Sequence, residues 1–106
     1  MVRVIIEHQV KEAKNVESVL AIIRDLRNEA MRRQGYITGE TLVNTEDVCN
    51  VLVISTWHNL KNWQDWDKSE TRVNITEGIK TFLAKPYTVR TYRYRLVREK
   101  RVWSTF

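Results

Sequence analysis

One cysteine, one proline and three glycines are all that a chain of 106 residues contains of these types. A lone thiol, Cys49, excludes an intramolecular disulfide and a thiolate metal cluster, and it reads as a strand residue with a free thiol. No repeat, low-complexity stretch or interdomain linker interrupts the sequence, so a single domain is expected. No apolar run approaches the roughly 20 residues a membrane-spanning helix needs. The opening Met1-Val2-Arg3-Val4-Ile5-Ile6-Glu7 has a charge inside its apolar stretch and no small-residue cleavage site. It does not read as a signal peptide, which makes the cytoplasm the expected compartment. A Gly-rich phosphate loop, paired histidines at metal spacing and a nucleophile elbow are also missing. With two histidines, His8 and His58, and no metal set, any chemistry has to come from a pocket.

Acidic residues are scarce at one end. Residues 85–106 carry Lys85, Arg90, Arg93, Arg95, Arg98, Lys100 and Arg101 against Glu99 alone, which accounts for the net charge of +5. Such an end suits an anionic ligand, nucleic acid or an acidic patch on a partner subunit. It equally suits a solvated strand whose charges keep a sheet edge from aggregating.

What is present is a sequence of periodic elements. Residues 2–10 alternate as a strand, with Val2, Val4, Ile6, His8 and Val10 on one face. From Asn15 to Arg33 the apolar residues Val16, Val19, Leu20, Ile23, Leu26 and Ala30 recur at helical spacing, with Asn15 placed as cap and Gly35 beyond the end. Strands are expected at 36–44 and 49–57 around a Thr45-Glu46-Asp47 turn. Asn59 and Ser69 are placed to cap two further helices. The second turns Val73, Ile75, Ile79, Phe82 and Leu83 inward and stops near Lys85 before Pro86. A last strand spans 87–97.

This β-α-β-β-α-β order, with its second helical region split, is a ferredoxin-like α+β arrangement. Val51-Leu52-Val53-Ile54 makes both faces of its strand apolar, whereas two helices can cover only one. One domain of this size has no residues left for a second layer, so the expected cover is another copy of the chain, in a homodimer.

Three of the four tryptophans fall within Thr56-Trp57-His58-Asn59-Leu60-Lys61-Asn62-Trp63-Gln64-Asp65-Trp66, along a strand exit and the short helix after it. Trp63 and Trp66, three apart, share a helix face. This arrangement resembles the antibiotic biosynthesis monooxygenase family, whose small domains follow a strand ending in Trp with a W-x-x-S/D-like turn into the last helix. By element order the resemblance covers about residues 2–96. It implies a dimeric α+β barrel formed by residues 1–97. Residues 98–106 run past the family's usual end as a basic tail whose Trp103 and Phe106 point to docking on the partner subunit, with a disordered tail the alternative.

The resemblance further implies a cavity between sheet and helices and a monooxygenase that works without a bound cofactor on a small aromatic substrate, quinol-like or polyphenolic. His8 is the candidate catalytic base, since an apolar wall would hold its imidazole uncharged and ready for a proton. Trp66 and Trp63 are candidate stacking walls for the ring. Arg72, Thr76 and Asn74 on the following helix are within reach of a polar edge. The structural alternatives are a hydrogen-bonded core histidine, core indoles and solvated polar residues.

Haem-degrading members of the same family carry an Asn on the first strand, a Trp on the short helix and an iron-ligating His ten residues later. Aligned on Trp66, this chain has His8 in place of that Asn and Thr76 in place of that ligand, which disfavours haem as a cofactor unless His8 ligates the iron from the opposite wall. A non-catalytic dimeric binder of an aromatic ligand or haem is the alternative from another class. RNA binding is a third, given the interleaved Arg90, Tyr92, Arg93, Tyr94 and Arg95. It is disfavoured because residues 49–57 lack the Gly-aromatic pattern that stacks bases in that fold.

Overall fold

The computed structural model describes residues 1–95. Strands β1 (Val2–Gln9), β2 (Tyr36–Val43), β3 (Asn50–Trp57) and β4 (Thr88–Arg93) form one antiparallel sheet in the order β2-β3-β1-β4. Helix α1 (Val16–Ala30) links β1 to β2, and the split pair α2 (Leu60–Asp67) and α3 (Glu70–Lys80) links β3 to β4. This is the expected ferredoxin-like α+β fold.

Register separates the two faces of the sheet. Val2, Val4, Ile6 and His8 lie opposite Trp57, Ser55, Val53 and Val51, and this side meets the helices. With Val19, Ile23 and Leu26 of α1 and Ile79 of α3 it makes the core. The other side carries Ile5, Leu52 and Ile54, half-buried among strand neighbours, and Leu42, exposed; no described helix covers it. Helices therefore shelter one face only, and Leu52 and Ile54 of the two-faced apolar run of β3 lie on the other.

Both expected caps of the split region form: Asn59 accepts from the backbone N–H of Asn62, and Ser69 from that of Arg72. Asn15 does not cap α1. It closes a 3₁₀ turn, Ala13–Asn15, and its helical dihedrals aim the side chain away from the first free N–H groups, so no cap bond forms. The helix itself ends at Ala30 rather than Arg33, and the chain turns at Gly35, whose φ is +86°. Cys49 precedes β3 instead of lying in it; its carbonyl accepts from Val10 N–H at 2.8 Å.

The last helix departs from its apolar pattern. Val73, expected inward, is 46% exposed, while the buried stripe is Arg72, Thr76 and Ile79. Ser69 fixes the phase of the helix, and that phase turns two polar residues under it. Pro86 does not set its end, which comes at Lys80: the chain leaves the helix to extend the sheet's rim, with Leu83 bridging Val10 and Ala84 N–H bonding Gln9 O at 2.8 Å. Strand β4 is shorter than expected and leaves out Tyr87, Tyr94 and Arg95. Residues 96–97 and the expected tail at 98–106 lie outside the described residues.

Gly35 positions α2. Its carbonyl accepts from His58 N–H at 2.7 Å, and a Cβ there would overlap the Asn62 side chain. Gly35→Ala combines that overlap with a left-handed backbone, so it is expected to lower stability by roughly 1–3 kcal/mol, read from urea midpoints.

Candidate functional site

Tight alternation on β1 delivers His8 to the helix side near the end of the strand, where only 3% of its surface remains exposed. Its Nδ1 lies 3.4 Å from the Val51 carbonyl oxygen. A carbonyl only accepts, so this contact keeps the ring proton on Nδ1 and leaves Nε2 as the basic nitrogen. Burial pulls the imidazole down to a pKa of about 4; the Val51 carbonyl opposes that shift and the Arg72 charge adds to it. Neutral imidazole is therefore the resting form at neutral pH. The Tyr87 ring sits at 5.5 Å, tilted by 42°.

Three indoles gather beside it. Trp57 closes β3 and donates its Nε1–H to Ser55 Oγ at 3.0 Å. Trp63, on α2, meets Trp57 edge-on at 5.9 Å. Trp66, one turn along the same helix, is buried and carries the Arg33 guanidinium over its face at 5.0 Å. The three-residue spacing that put Trp63 and Trp66 on one face is what turns both toward the sheet.

Arg72 enters from α3 and is 4% exposed. Its Nε donates to Asp67 Oδ1 at 3.0 Å, and its Cζ lies 5.1 Å from the Trp63 ring and 5.9 Å from the Tyr87 ring. Thr76, one turn further on, is buried and turns its hydroxyl back to the Val73 carbonyl at 3.1 Å.

His8, the three indoles, Arg72, Thr76 and Tyr87 line one cavity between the sheet and the helices, with Ile6, Ile23, Leu26 and Val53 on its apolar wall and Ser55 adding a hydroxyl. His8, Trp63, Trp66, Arg72 and Thr76, each singled out from sequence, thus share one space. Asn74 does not join them: it is exposed on the outer face of α3, and His58 is solvated as expected. Sequence reasoning missed Tyr87, Tyr36 and Arg27, which also line the space. Tyr36 could have been found, since it opens a strand on the same face as Trp57. Tyr87, expected to open the last strand, instead lies just before β4.

The cavity holds about 50 Å³. An apolar cavity of roughly 150 Å³ is the size that takes a benzene ring. A ring can enter only if the walls part, by several-fold in volume. A porphyrin is larger still, and the position expected for an iron ligand holds Thr76, whose hydroxyl is committed to a backbone carbonyl. Thr76 does not fit haem as its iron ligand.

Among the described residues no group of His, Cys, Asp and Glu is placed to hold a metal ion, and no helix is long and apolar enough to cross a membrane.

No family model matches this sequence, and no curated protein does. Solved structures do share its fold. A conserved protein from Methanosarcina mazei superimposes with a TM-score of 0.82 at 18% identity, over 89% of this chain and 92% of that one. A structure named antibiotic biosynthesis monooxygenase gives 0.80 at 17% identity, over 91% and 100%. SnoaB from Streptomyces nogalater, named a cofactor-independent oxygenase, gives 0.75 at 12% identity, over 93% and 97%. The chain has the α+β fold of antibiotic biosynthesis monooxygenases, and at these identities the likeness speaks to fold alone.

Proposed function

We propose that the protein is a cofactor-independent monooxygenase of a small aromatic substrate, quinol-like or polyphenolic, acting in the cavity between sheet and helices. The observation that carries this reading is that one neutral, buried imidazole and three indoles converge on a single space. The oxygenase names of several fold neighbours support it. Trp66 and Trp63 stack the ring, Arg72 and Thr76 meet its polar edge, and His8 Nε2 takes a proton from a phenol or an activated C–H. The carbanion so formed is electron-rich enough to reduce oxygen itself. One oxygen atom stays on carbon as a carbonyl and the other leaves as water, so a ring-activated CH₂ supplies all the electrons. The test is oxygen uptake on a panel of quinols and polyphenols, with ¹⁸O₂ as label. One labelled atom per product molecule is expected; no uptake across the panel would refute the reading.

The fold side of the proposal is a homodimer. Ile5, Leu52, Ile54 and Leu42 form an apolar patch on the open sheet face, rimmed by the Arg3–Glu40 ion pair at 3.6 Å and by Arg90 and Tyr92. A second copy packed sheet to sheet buries that patch, and the symmetry makes it self-complementary. Ile54→Lys places a charge at the patch centre and is expected to convert dimer to monomer in light scattering at micromolar concentration. An unchanged dimer would put the interface elsewhere.

A specific observation favours a second reading. An imidazole with a pKa of about 4 is a weak base, and a pocket that binds an aromatic ligand without turning it over needs no better one. Under that reading a bound quinol is recovered unchanged after aerobic incubation.

A further inference from the structure

If the cavity is a ligand site, as the proposed function has it, the position of Arg72 bears on which aromatic molecules it takes. A guanidinium presents five N–H donors in one plane. Both faces of that plane are available to π-systems, and Trp63 and Tyr87 are within cation–π distance of this one. Hydrogen bonds must therefore form in the plane, at the edges. Asp67 takes the Nε position, and among the described residues no acceptor meets the terminal amino groups. Those groups belong to a side chain 95% buried, at the wall of the cavity and, like His8, beside the Tyr87 ring. The amino groups keep accessible surface, since Arg3 Nε is the one sealed side-chain nitrogen or oxygen without a partner among the described residues, and the remaining edge of the fork matches a carboxylate bidentately. Asp67, with its side chain 45% exposed, shares its charge with water and only partly balances the cation.

We propose that the cavity selects aromatic acids, a flat ring bearing a carboxylate that pairs with the terminal amino groups of Arg72. The ring lies against Trp66 and Trp63. The same pairing removes the positive charge that otherwise opposes a proton on His8, so an acid ligand makes the neighbouring base stronger than a neutral one does.

The experiment titrates the full-length protein with 2-naphthoate and with its neutral counterpart 2-naphthamide, following indole and guanidinium N–H resonances by NMR. Both ligands need the same widening of the cavity, so their ratio isolates the carboxylate. Wild type is expected to prefer naphthoate about 10- to 100-fold, the size that charge-assisted hydrogen bonds give. Arg72→Met is expected to abolish the preference, and Arg72→Lys, which keeps charge without the fork, to retain part of it. Equal affinities in wild type would overturn the proposal, and that comparison stands even if Arg72→Met does not fold. A preference that survives Arg72→Met, or that is lost only in Arg27→Met, would overturn it too. The outcome separates from the oxygenase reading. If neutral quinols are oxidised while naphthoate gains nothing from its charge, the acid preference falls and the oxygenase stands. If naphthoate binds through Arg72 and no acid or quinol is oxidised, the reverse holds.

Discussion

Replacing His8 with alanine is expected to slow oxidation of the best quinol or acid about 10²- to 10⁴-fold, the range that a positioned base supplies. The stacking walls remain, so KM should change far less than kcat. The pH profile adds a second readout. With a pKa of about 4 the free imidazole is already in its basic form at neutral pH, so kcat/KM should be flat from about pH 5 upward and fall only near pH 4. A histidine at its ordinary 6.5 would place that limb some two units higher. Added imidazole, small enough for the space the alanine leaves, is expected to restore part of the lost rate. Turnover unchanged in His8→Ala would remove His8 from the mechanism.

The same residue governs the second large effect, stability toward acid. In the unfolded chain His8 binds a proton near pH 6.5; in the folded protein it does so only near 4. The folded value is the lower, so stability is fully present above pH 6.5 and is lost as pH falls toward 4, where the loss levels off. A difference of this size corresponds to about 3 kcal/mol. The groups around the ring account for its direction: burial against the apolar wall and the Arg72 cation oppose a proton, the Val51 carbonyl favours one, and the Tyr87 ring lies tilted beside it. Urea midpoints between pH 4 and 8 should therefore fall more steeply for wild type than for His8→Gln, which has no imidazole to titrate. Carboxylates protonate in both proteins and cancel in the difference. Parallel curves would mean that His8 is not held neutral.

Both effects trace to a residue that the sequence makes legible for a simple reason. Strand alternation is a two-way choice, and His8 shares its parity with Val2, Val4 and Ile6, so its side of the sheet follows once the core side is known. The caps at Asn59 and Ser69 are legible in the same local way. The stripe of α3 is not. Apolar spacing points to Val73, yet the residues turned inward include Arg72 and Thr76, because the cap at Ser69 sets the phase of the helix and apolar spacing does not. Its end escapes the sequence because Pro86 is a local signal, whereas the pairing of Leu83 with Val10 joins residues far apart in the chain. Asn15 fails as a cap for a related reason: the residue type permits capping, but the 3₁₀ turn before α1 sets dihedrals that prevent it. The small size of the cavity, about 50 Å³, depends on how side chains interlock and leaves no trace in periodicity.

That size also defines the most direct test. A crystal structure of the protein soaked anaerobically with a quinol or an aromatic acid should show the ring against Trp66, within hydrogen-bond reach of His8 Nε2, in a space opened at least to the roughly 150 Å³ that takes a benzene ring. A ligand seated instead on the open sheet face, above a cavity still closed around His8, would contradict the assignment of this cavity as the active site.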